Sequence, residues 1–259
     1  MTTNDLTSIE KRGTHYYKHE DELFVNGVCG GKVRVADVLI RRAMAIGINE
    51  FVTCGSRDSR QCAVVAKMCE YYGVKSHIFM PSGKETDIVT SIGETNGATI
   101  HTTKVGYNSV LIANASKFAS DNNFSYIPFG METQIAIDTN MQQVQNVPKE
   151  VKRIVIPCGG GMNMISVIKG LEYYGRYDVK VIGVVVGKKP NKTFDKFLSN
   201  TIFEQMHVKW EFVEYPYSYH VKAKKTMIDG VELDEMYEAK CIPFLQDGDL
   251  LWIVGKKCY

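Results

Sequence analysis

The chain has 259 residues, of which 44% are hydrophobic and 23% are charged. This composition is ordinary for a globular protein with ample apolar material for a core. The net charge of +2 gives no argument for a nucleic acid or a membrane as the main partner.

Strand and helix signals alternate from about residue 50 onward. A short apolar strand at 51–54 precedes a predicted helix at 59–72, and Gly73 follows where a glycine commonly ends a helix. The alternation then continues through strand 74–80, turn 81–83, helix 84–95, strand 98–102, helix 107–121, strand 126–129 and helix 132–145.

The strongest strand signal lies at 151–157, and a helix is predicted from the glycine cluster after it to about residue 174. Another apolar strand follows at 179–186, and a final buried strand is predicted at 250–254. Strand–helix alternation with short links indicates an α/β fold, a parallel sheet with helices on both faces.

The pattern weakens after residue 187. The aromatic-rich segment 215–220 predicts a loop, and two groups of lysines are best explained as solvated surface. These groups are Lys188, Lys189, Lys192 and Lys196, and Lys222, Lys224 and Lys225.

Seven cysteines are scattered along the chain without a C-x-x-C pair, so a zinc knuckle has no support and no metal is predicted. Free thiols favour a reducing compartment. Residues 1–10 lack the apolar core of a signal peptide, and no run approaches the roughly 20 apolar residues that cross a bilayer. These observations predict a cytoplasmic protein without a membrane partner.

Lys32 follows Gly30 and Gly31 at the predicted start of a helix. Glycines give the lysine little steric cover, so a bulky planar partner can approach its amine. A lysine nucleophile must be neutral, and burial or a neighbouring charge would lower its pKa. Most lysines, however, are surface charges.

A second glycine cluster, Gly159-Gly160-Gly161, joins the 151–157 strand to a helix. Glycines let backbone N–H groups turn toward an anion, and a helix N-terminus adds partial positive charge. The spacing is neither G-x-G-x-x-G nor G-x-x-x-x-G-K-[ST], which disfavours a dinucleotide, a nucleoside triphosphate and a nicotinamide-dependent oxidoreductase. The alternative is a tight strand-to-helix turn without a ligand.

Two further segments carry candidate polar groups. Ser59-Arg60-Gln61 opens a predicted helix, where Ser59 is a natural N-cap and the free N–H groups suit a carboxylate. Tyr237 and Glu238 stand side by side in segment 236–240, an arrangement that is also common on a surface helix.

Taken in order, these segments resemble the pyridoxal-phosphate enzymes of the tryptophan synthase β type. They are most similar to the aminocyclopropane-carboxylate deaminase and D-cysteine desulfhydrase branch. The resemblance runs from about residue 15 to 255. The segments that carry it are 17–23 (YKHEDEL), 30–34 (GGKVR), 59–61 (SRQ), 159–163 (GGGMN), 234–240 (DEMYEAK) and 250–255 (LLWIVG).

The resemblance implies a role for each segment. Lys32 would be the Schiff-base lysine for pyridoxal 5'-phosphate. The substrate carboxylate would bind Ser59, Arg60 and Gln61, with Arg60 also at the phenolic oxygen of the cofactor. The phosphate would bind Gly159, Gly160, Gly161, Met162 and Asn163. Tyr237 would lie over the substrate as a second catalytic group, and Glu238 would meet the pyridine nitrogen.

Two residues depart from the family pattern. Gly31 stands in the place of the asparagine before the lysine, and Arg60 stands in the place of the asparagine at the phenolic oxygen. Arginine is longer, always charged and a donor only, so Arg60 either donates to that oxygen or contacts a substrate anion.

The resemblance also implies the architecture. Residues 1–47 with 129–259 would form a large cofactor-binding domain, 48–128 a small mobile domain, and the cofactor would lie in the cleft between them. A homodimer is implied by the family alone.

The predicted activity is that of a lyase or deaminase acting at the α and β carbons of an amino acid through Lys32. Elimination, deamination and racemisation stay open. One alternative is a repurposed, non-catalytic scaffold. Another is an enzyme that modifies an amino-acyl group on a nucleotide or nucleic acid, suggested by Arg60, the two lysine groups and the short chain.

Overall fold

The computed structural model describes residue 3 and residues 5–104, 107–198 and 206–256. These residues form two compact units. The first contains the described residues up to Leu23 and from Ala136 onward, and the second contains Phe24–Ile135.

Regular elements alternate along most of the chain. Strands β1 to β14 lie at Ile9–Arg12, His15–His19, Phe24–Val25, Val28–Cys29, Glu50–Cys54, Lys75–Pro81, Ala98–Thr103, Ser125–Tyr126, Arg153–Cys158, Lys180–Val185, Trp210–Glu214, Met227–Ile228, Val231–Glu232 and Leu250–Ile253. Helices α1 to α7 lie at Gly31–Met44, Arg60–Tyr71, Asp87–Gly93, Asn108–Asp121, Gln134–Asn140, Met162–Tyr173 and Asn191–Leu198. Short 3₁₀ helices lie at Glu20–Glu22, Phe129–Met131, Met141–Val144 and Glu238–Phe244.

A six-stranded sheet in the order β1-β2-β14-β9-β10-β11 forms the centre of the first unit. Its strands are parallel except for β1, which pairs antiparallel with β2. Successive residues of β10 point to opposite faces of this sheet. Ile182 and Val184 enter an apolar cluster with Cys241 of the last 3₁₀ helix, whereas a side chain at Gly183 would collide with Met164 of α6.

Four parallel strands in the order β7-β6-β5-β8 form the sheet of the second unit. Val52 and Cys54 of β5 pack with Leu111 and other residues of α4 on one face. Thr53 points to the opposite face, where its hydroxyl oxygen accepts a hydrogen bond from Gln61 of α2. The predicted parallel sheet with helices on both faces is therefore confirmed.

The boundaries of the two units lie at other residues than the boundaries of the predicted domains. Residues 24–47, which the sequence analysis grouped with the large domain, belong to the second unit, as do residues 129–135. The reason is local packing, because α1 in this stretch packs on α2, which in turn packs on β5 and β6.

Two predicted elements are shorter than expected. The strand predicted at 126–129 ends at Tyr126, because Pro128 and Gly130, with its φ of 72°, turn the chain into a 3₁₀ helix. The helix predicted at 132–145 is an α-helix over Gln134–Asn140 that continues as the 3₁₀ helix Met141–Val144.

The six cysteines in the described part of the chain are all free, and five of them are buried. No helix in the described ranges combines the length and the apolar character that crossing a membrane requires. The same residues contain no group of three or more metal-binding side chains.

Candidate active site

The glycine cluster forms the turn between β9 and α6 in the first unit. Gly161 is the residue before α6, and no side chain caps the helix there. The first backbone N–H groups of a helix have no partner within the helix, so this end offers donors and positive potential to an anion. Met162 and Asn163 are the first two residues of α6; because the Met162 side chain is buried, only its backbone can serve an anion.

The three glycines of the turn differ in whether another residue could take their place. Gly161 has a φ of 90°, and an added Cβ would lie 2.8 Å from Cε2 of Phe194, so this position demands glycine for conformation and packing. A Cβ at Gly160 would meet nothing within 4 Å, and one at Gly159 would lie 3.5 Å from Cε1 of Tyr237. The turn thus needs one glycine structurally, and the other two keep the approach to its backbone open.

Glu238 is a buried carboxylate of the first unit and follows Tyr237 directly in the chain. It begins the last 3₁₀ helix, has no exposed surface, and accepts a hydrogen bond of 3.0 Å from the backbone N–H of Val254. Its charge contributes, after burial, to the raised pKa of the Cys241 thiol. Burying a carboxylate costs free energy of folding, and buried carboxylates are found more often at functional sites than elsewhere.

Tyr237 lies beside the turn and is held by its own segment. The carboxylate of Asp234 accepts hydrogen bonds from the backbone N–H groups of Met236 and Tyr237, at 2.9 and 3.0 Å. The hydroxyl of Tyr237 lies 3.0 Å from that of Tyr219, in the segment that the sequence analysis predicted only as a loop. Sequence reasoning missed Tyr219, and its only signal was the density of aromatic residues around it.

Lys32 is the second residue of α1 in the second unit. Gly30, with a φ of 100°, precedes the helix, and no side chain caps it. Lys32 is half-buried as a residue. Burial of its amine, with a smaller contribution from the charge of Arg60, lowers the pKa of Lys32 to about 8. A lysine with this pKa is still mostly protonated near physiological pH, but its neutral, nucleophilic fraction is far larger than that of an ordinary lysine.

Arg60 and Ser59 stand at the start of α2. Ser59 occupies the N-cap position, as predicted, but its side chain accepts no hydrogen bond from the helix backbone. A Cβ at Gly55 would lie 2.6 Å from the Ser59 hydroxyl oxygen, so this glycine allows the chain to turn closely around it. No side chain caps the start of α2, so this helix end adds positive potential next to the charge of Arg60, which suits an anion.

Gln61 is buried and its side-chain amide is already engaged. Its Nε2 donates to the Thr53 hydroxyl oxygen at 2.9 Å and to the backbone carbonyl of Pro128 at 2.7 Å. Both N–H groups of the amide are thus used to join α2 to the sheet and to the segment after β8. A carboxylate of a substrate would need a donor, so Gln61 can supply only its backbone N–H.

We expect Gln61→Met to destabilise the fold by about 2–3 kcal/mol, because the Thr53 hydroxyl and the Pro128 carbonyl both lose a donor inside the protein. The unfolding midpoint in urea measures this loss. Gln145→Met on the exposed surface is the matched control and should change stability by no more than about 0.5 kcal/mol. Equal stability of the two variants would contradict the structural role of Gln61.

A pH titration tests the electrostatics of Lys32. Its neutral fraction rises through pH 8, so the rate at which pyridoxal phosphate attaches to the cofactor-free protein should rise with pH, with its midpoint at about pH 8. Arg60→Gln removes a repelling charge, which favours the ammonium form and should move the midpoint upward. Absorbance of the attached cofactor measures both rates, and a midpoint that stays fixed in Arg60→Gln would contradict the effect of Arg60.

The predicted residues thus fall into two groups. The first unit brings the glycine turn and Tyr237 together and places buried Glu238 directly after Tyr237. The second unit brings Lys32 close enough to Arg60 for their charges to interact, with Ser59 and Gln61 on either side of Arg60. Residues of the predicted site therefore belong to both units.

Comparison with known proteins gives the family. The family model described as "Pyridoxal-phosphate dependent enzyme" matches residues 8–242. The chain belongs to this family. It is a pyridoxal-phosphate-dependent enzyme, as the resemblance of its segments implied.

Solved structures of low sequence identity share the fold. An "ACC deaminase homologue" has a TM-score of 0.79 at 17% identity, covering 96% of this chain and 89% of that one. A fungal L-serine ammonia-lyase from Rhizomucor miehei has a TM-score of 0.67 at 18% identity, covering 95% and 89%. Maize serine racemase has a TM-score of 0.66 at 13% identity, covering 98% and 88%. No curated protein sequence matches the chain.

The residues present fit the cofactor of this family. The turn before α6 has uncapped N–H groups and an open approach at Gly160, which suits a phosphate. Lys32 has the lowered pKa that attachment of an aldehyde requires. Glu238 is a buried acceptor, which suits a protonated ring nitrogen.

Proposed function

We propose that this chain is a lyase or deaminase that acts at the α and β carbons of an amino acid, with Lys32 as the residue that attaches the cofactor. The observation that carries the proposal is the amine of Lys32, whose pKa lies near 8 at the uncapped start of α1. Supporting it, the structural neighbours are named as a deaminase homologue, an ammonia-lyase and a racemase.

Each residue has a proposed task. The N–H groups at the start of α6 hold the phosphate, and the Glu238 carboxylate keeps a proton on the ring nitrogen. When bound, pyridoxal phosphate withdraws electron density from the α-carbon of an attached amino acid. The neutral amine of Lys32 can then take or return a proton at that carbon.

Arg60 and the N–H groups at the start of α2 hold the substrate carboxylate. Arginine makes charge-assisted hydrogen bonds that the asparagine of the resembling family cannot make. We therefore expect Arg60 to strengthen substrate binding. Tyr237 supplies a second proton donor or acceptor, at a hydroxyl that already lies within hydrogen-bond distance of Tyr219.

The test is a screen of the purified, cofactor-loaded protein against D- and L-amino acids and aminocyclopropane carboxylate. We expect at least one of them to change the visible spectrum and to release ammonia with a 2-oxo acid. Release of ammonia and a 2-oxo acid with loss of a β substituent, or with opening of the aminocyclopropane ring, identifies a lyase or deaminase, and inversion of the α-carbon identifies a racemase. A spectrum that no amino acid changes would contradict the proposal and favour the non-catalytic scaffold.

A further inference from the structure

The aromatic segment Tyr215–His220 follows β11 in the first unit. Within this segment, Tyr219 contacts Tyr237, because the two hydroxyl groups lie 3.0 Å apart. A loop has many conformations, so holding one hydroxyl at one place requires an anchor for the backbone.

Lys240 is that anchor. It has no exposed surface, and its Nζ donates a hydrogen bond of 2.8 Å to the backbone carbonyl of Tyr219. Its ammonium also lies 5.4 Å from the ring centre of Tyr215 and 5.6 Å from that of Tyr219, within the range of cation–π attraction. Lys240 thus holds the aromatic segment by its backbone and by two of its rings.

Two glycines make room for the chain of contacts. A Cβ at Gly187 would lie 3.5 Å from Cδ2 of Tyr219, and a Cβ at Gly159 would lie 3.5 Å from Cε1 of Tyr237. The tyrosine rings therefore pack directly on the backbone at these two positions. The contacts run without interruption from Lys240 through Tyr219 and Tyr237 to the glycine turn.

A lysine is a costly anchor. Burying an ammonium group loses hydration that one carbonyl, two ring faces and the charge of Asp234 replace only in part. Burial lowers the pKa of Lys240, and the charge of Asp234 opposes this effect. Replacement of a buried charge by an apolar side chain of similar size is often neutral for stability. Stability alone therefore gives little reason for a lysine here, whereas orientation of the aromatic segment does.

We propose that Lys240 is a positioning residue. It fixes the backbone of Tyr219 so that the Tyr219 hydroxyl stays at Tyr237 and sets the direction and the proton of the Tyr237 hydroxyl. The inference rests on the proposed function for Tyr237 and adds a support that acts only through Tyr219. Lys240 itself contacts neither substrate nor cofactor in this role.

Three variants of the cofactor-loaded protein test it: Lys240→Met, which keeps the length and removes the donor, Tyr219→Phe, and the two combined. We expect each single change to lower kcat roughly 10- to 100-fold with KM within about twofold, because the proton-transfer group is misplaced. The kcat of the double variant should be no lower than that of the less active single variant, since both changes remove the same positioning of Tyr237. Losses that multiply would overturn the proposal.

The pH profile supplies a second readout. Either of the two hydroxyls can donate to the other. If Tyr219 donates, its removal disfavours the ionised form of Tyr237, so the basic limb of the kcat profile should move upward in Tyr219→Phe and in Lys240→Met alike. The control is Lys222→Met, a more exposed lysine that pairs with Glu235, and it should leave the profile unchanged. A shift in Tyr219→Phe that is absent in Lys240→Met would show that Lys240 does not position Tyr219.

Hydrogen exchange gives a readout that needs no turnover. The backbone N–H groups of Val221 and Ala223 are bonded to Ser218 and Glu235 in the native protein. We expect peptides covering 215–223 to exchange faster in Lys240→Met and at the wild-type rate in Tyr219→Phe. Unchanged exchange in Lys240→Met would overturn the anchor. If the wild type turned over no amino acid while exchange responded as expected, the proposed function would fail and the anchor would stand.

Discussion

Lys32→Ala should abolish covalent attachment of the cofactor and lower turnover on the order of 10³-fold or more. The amine of Lys32 is the group that both bonds the aldehyde and moves a proton at the α-carbon, so its removal takes away two functions at once. The measurement is the visible band of the loaded protein, followed by borohydride reduction and peptide mapping. Wild type should carry the label on the peptide that contains Lys32.

The matched control is Lys67→Ala, a half-buried lysine of α2 in the same unit that pairs with Glu70. It should keep the visible band, the label at Lys32 and wild-type turnover. The glycine turn remains intact in Lys32→Ala, so phosphate binding should persist and some cofactor should still bind without a covalent bond. A borohydride label on another lysine in wild type would show that Lys32 is the wrong residue.

Glu238→Gln should lower turnover on the order of 100-fold and leave cofactor affinity nearly unchanged. The amide has the same shape and can still accept from the backbone N–H of Val254, but it has no charge to keep a proton on the ring nitrogen. A weaker electron sink slows every step that develops charge at the α-carbon. Steady-state kinetics and a fluorescence titration with the cofactor separate the two effects.

Glu235→Gln is the control for this prediction, because Glu235 lies in the same segment but is part-exposed and pairs with Lys222. Loss of such a surface ion pair changes stability by less than about 1 kcal/mol and should not alter turnover. Equal kcat in Glu238→Gln and wild type would remove the electronic role of Glu238. A fall in cofactor affinity that matches the fall in turnover would assign Glu238 to binding alone.

The sequence predicted the parts of the fold that have simple periodicity. Apolar strands with helices between them, such as β5-α2-β6 and β9-α6-β10, lie within a few residues of their predicted bounds. Their burial on both faces gives continuous apolar runs that are easy to recognise. The glycine turn and the start of α1 were also found, because glycine patterns mark backbone geometry directly.

Strand β2 was missed because its sequence, HYYKH, looks like a surface segment. Lys18 in this strand is fully buried, and its charge is met by the carbonyl of Thr7, the side chain of Asn146 and the ring of Trp252. Asn146 and Trp252 are far away in sequence, so no local pattern reveals these contacts. The same reason hides the contact of Tyr219 with Tyr237 and the anchor at Lys240.

The position of β14 has a consequence for biosynthesis. This strand pairs with β2 on one side and β9 on the other, and the residue after it, Val254, donates to Glu238. While the ribosome still holds β14, the antiparallel pair of β1 and β2 has no strand that joins it to the rest of the sheet, and the carboxylate of Glu238 lacks that donor. The first unit therefore closes only after translation has passed Val254, and nascent chains are expected to depend on chaperones until that moment.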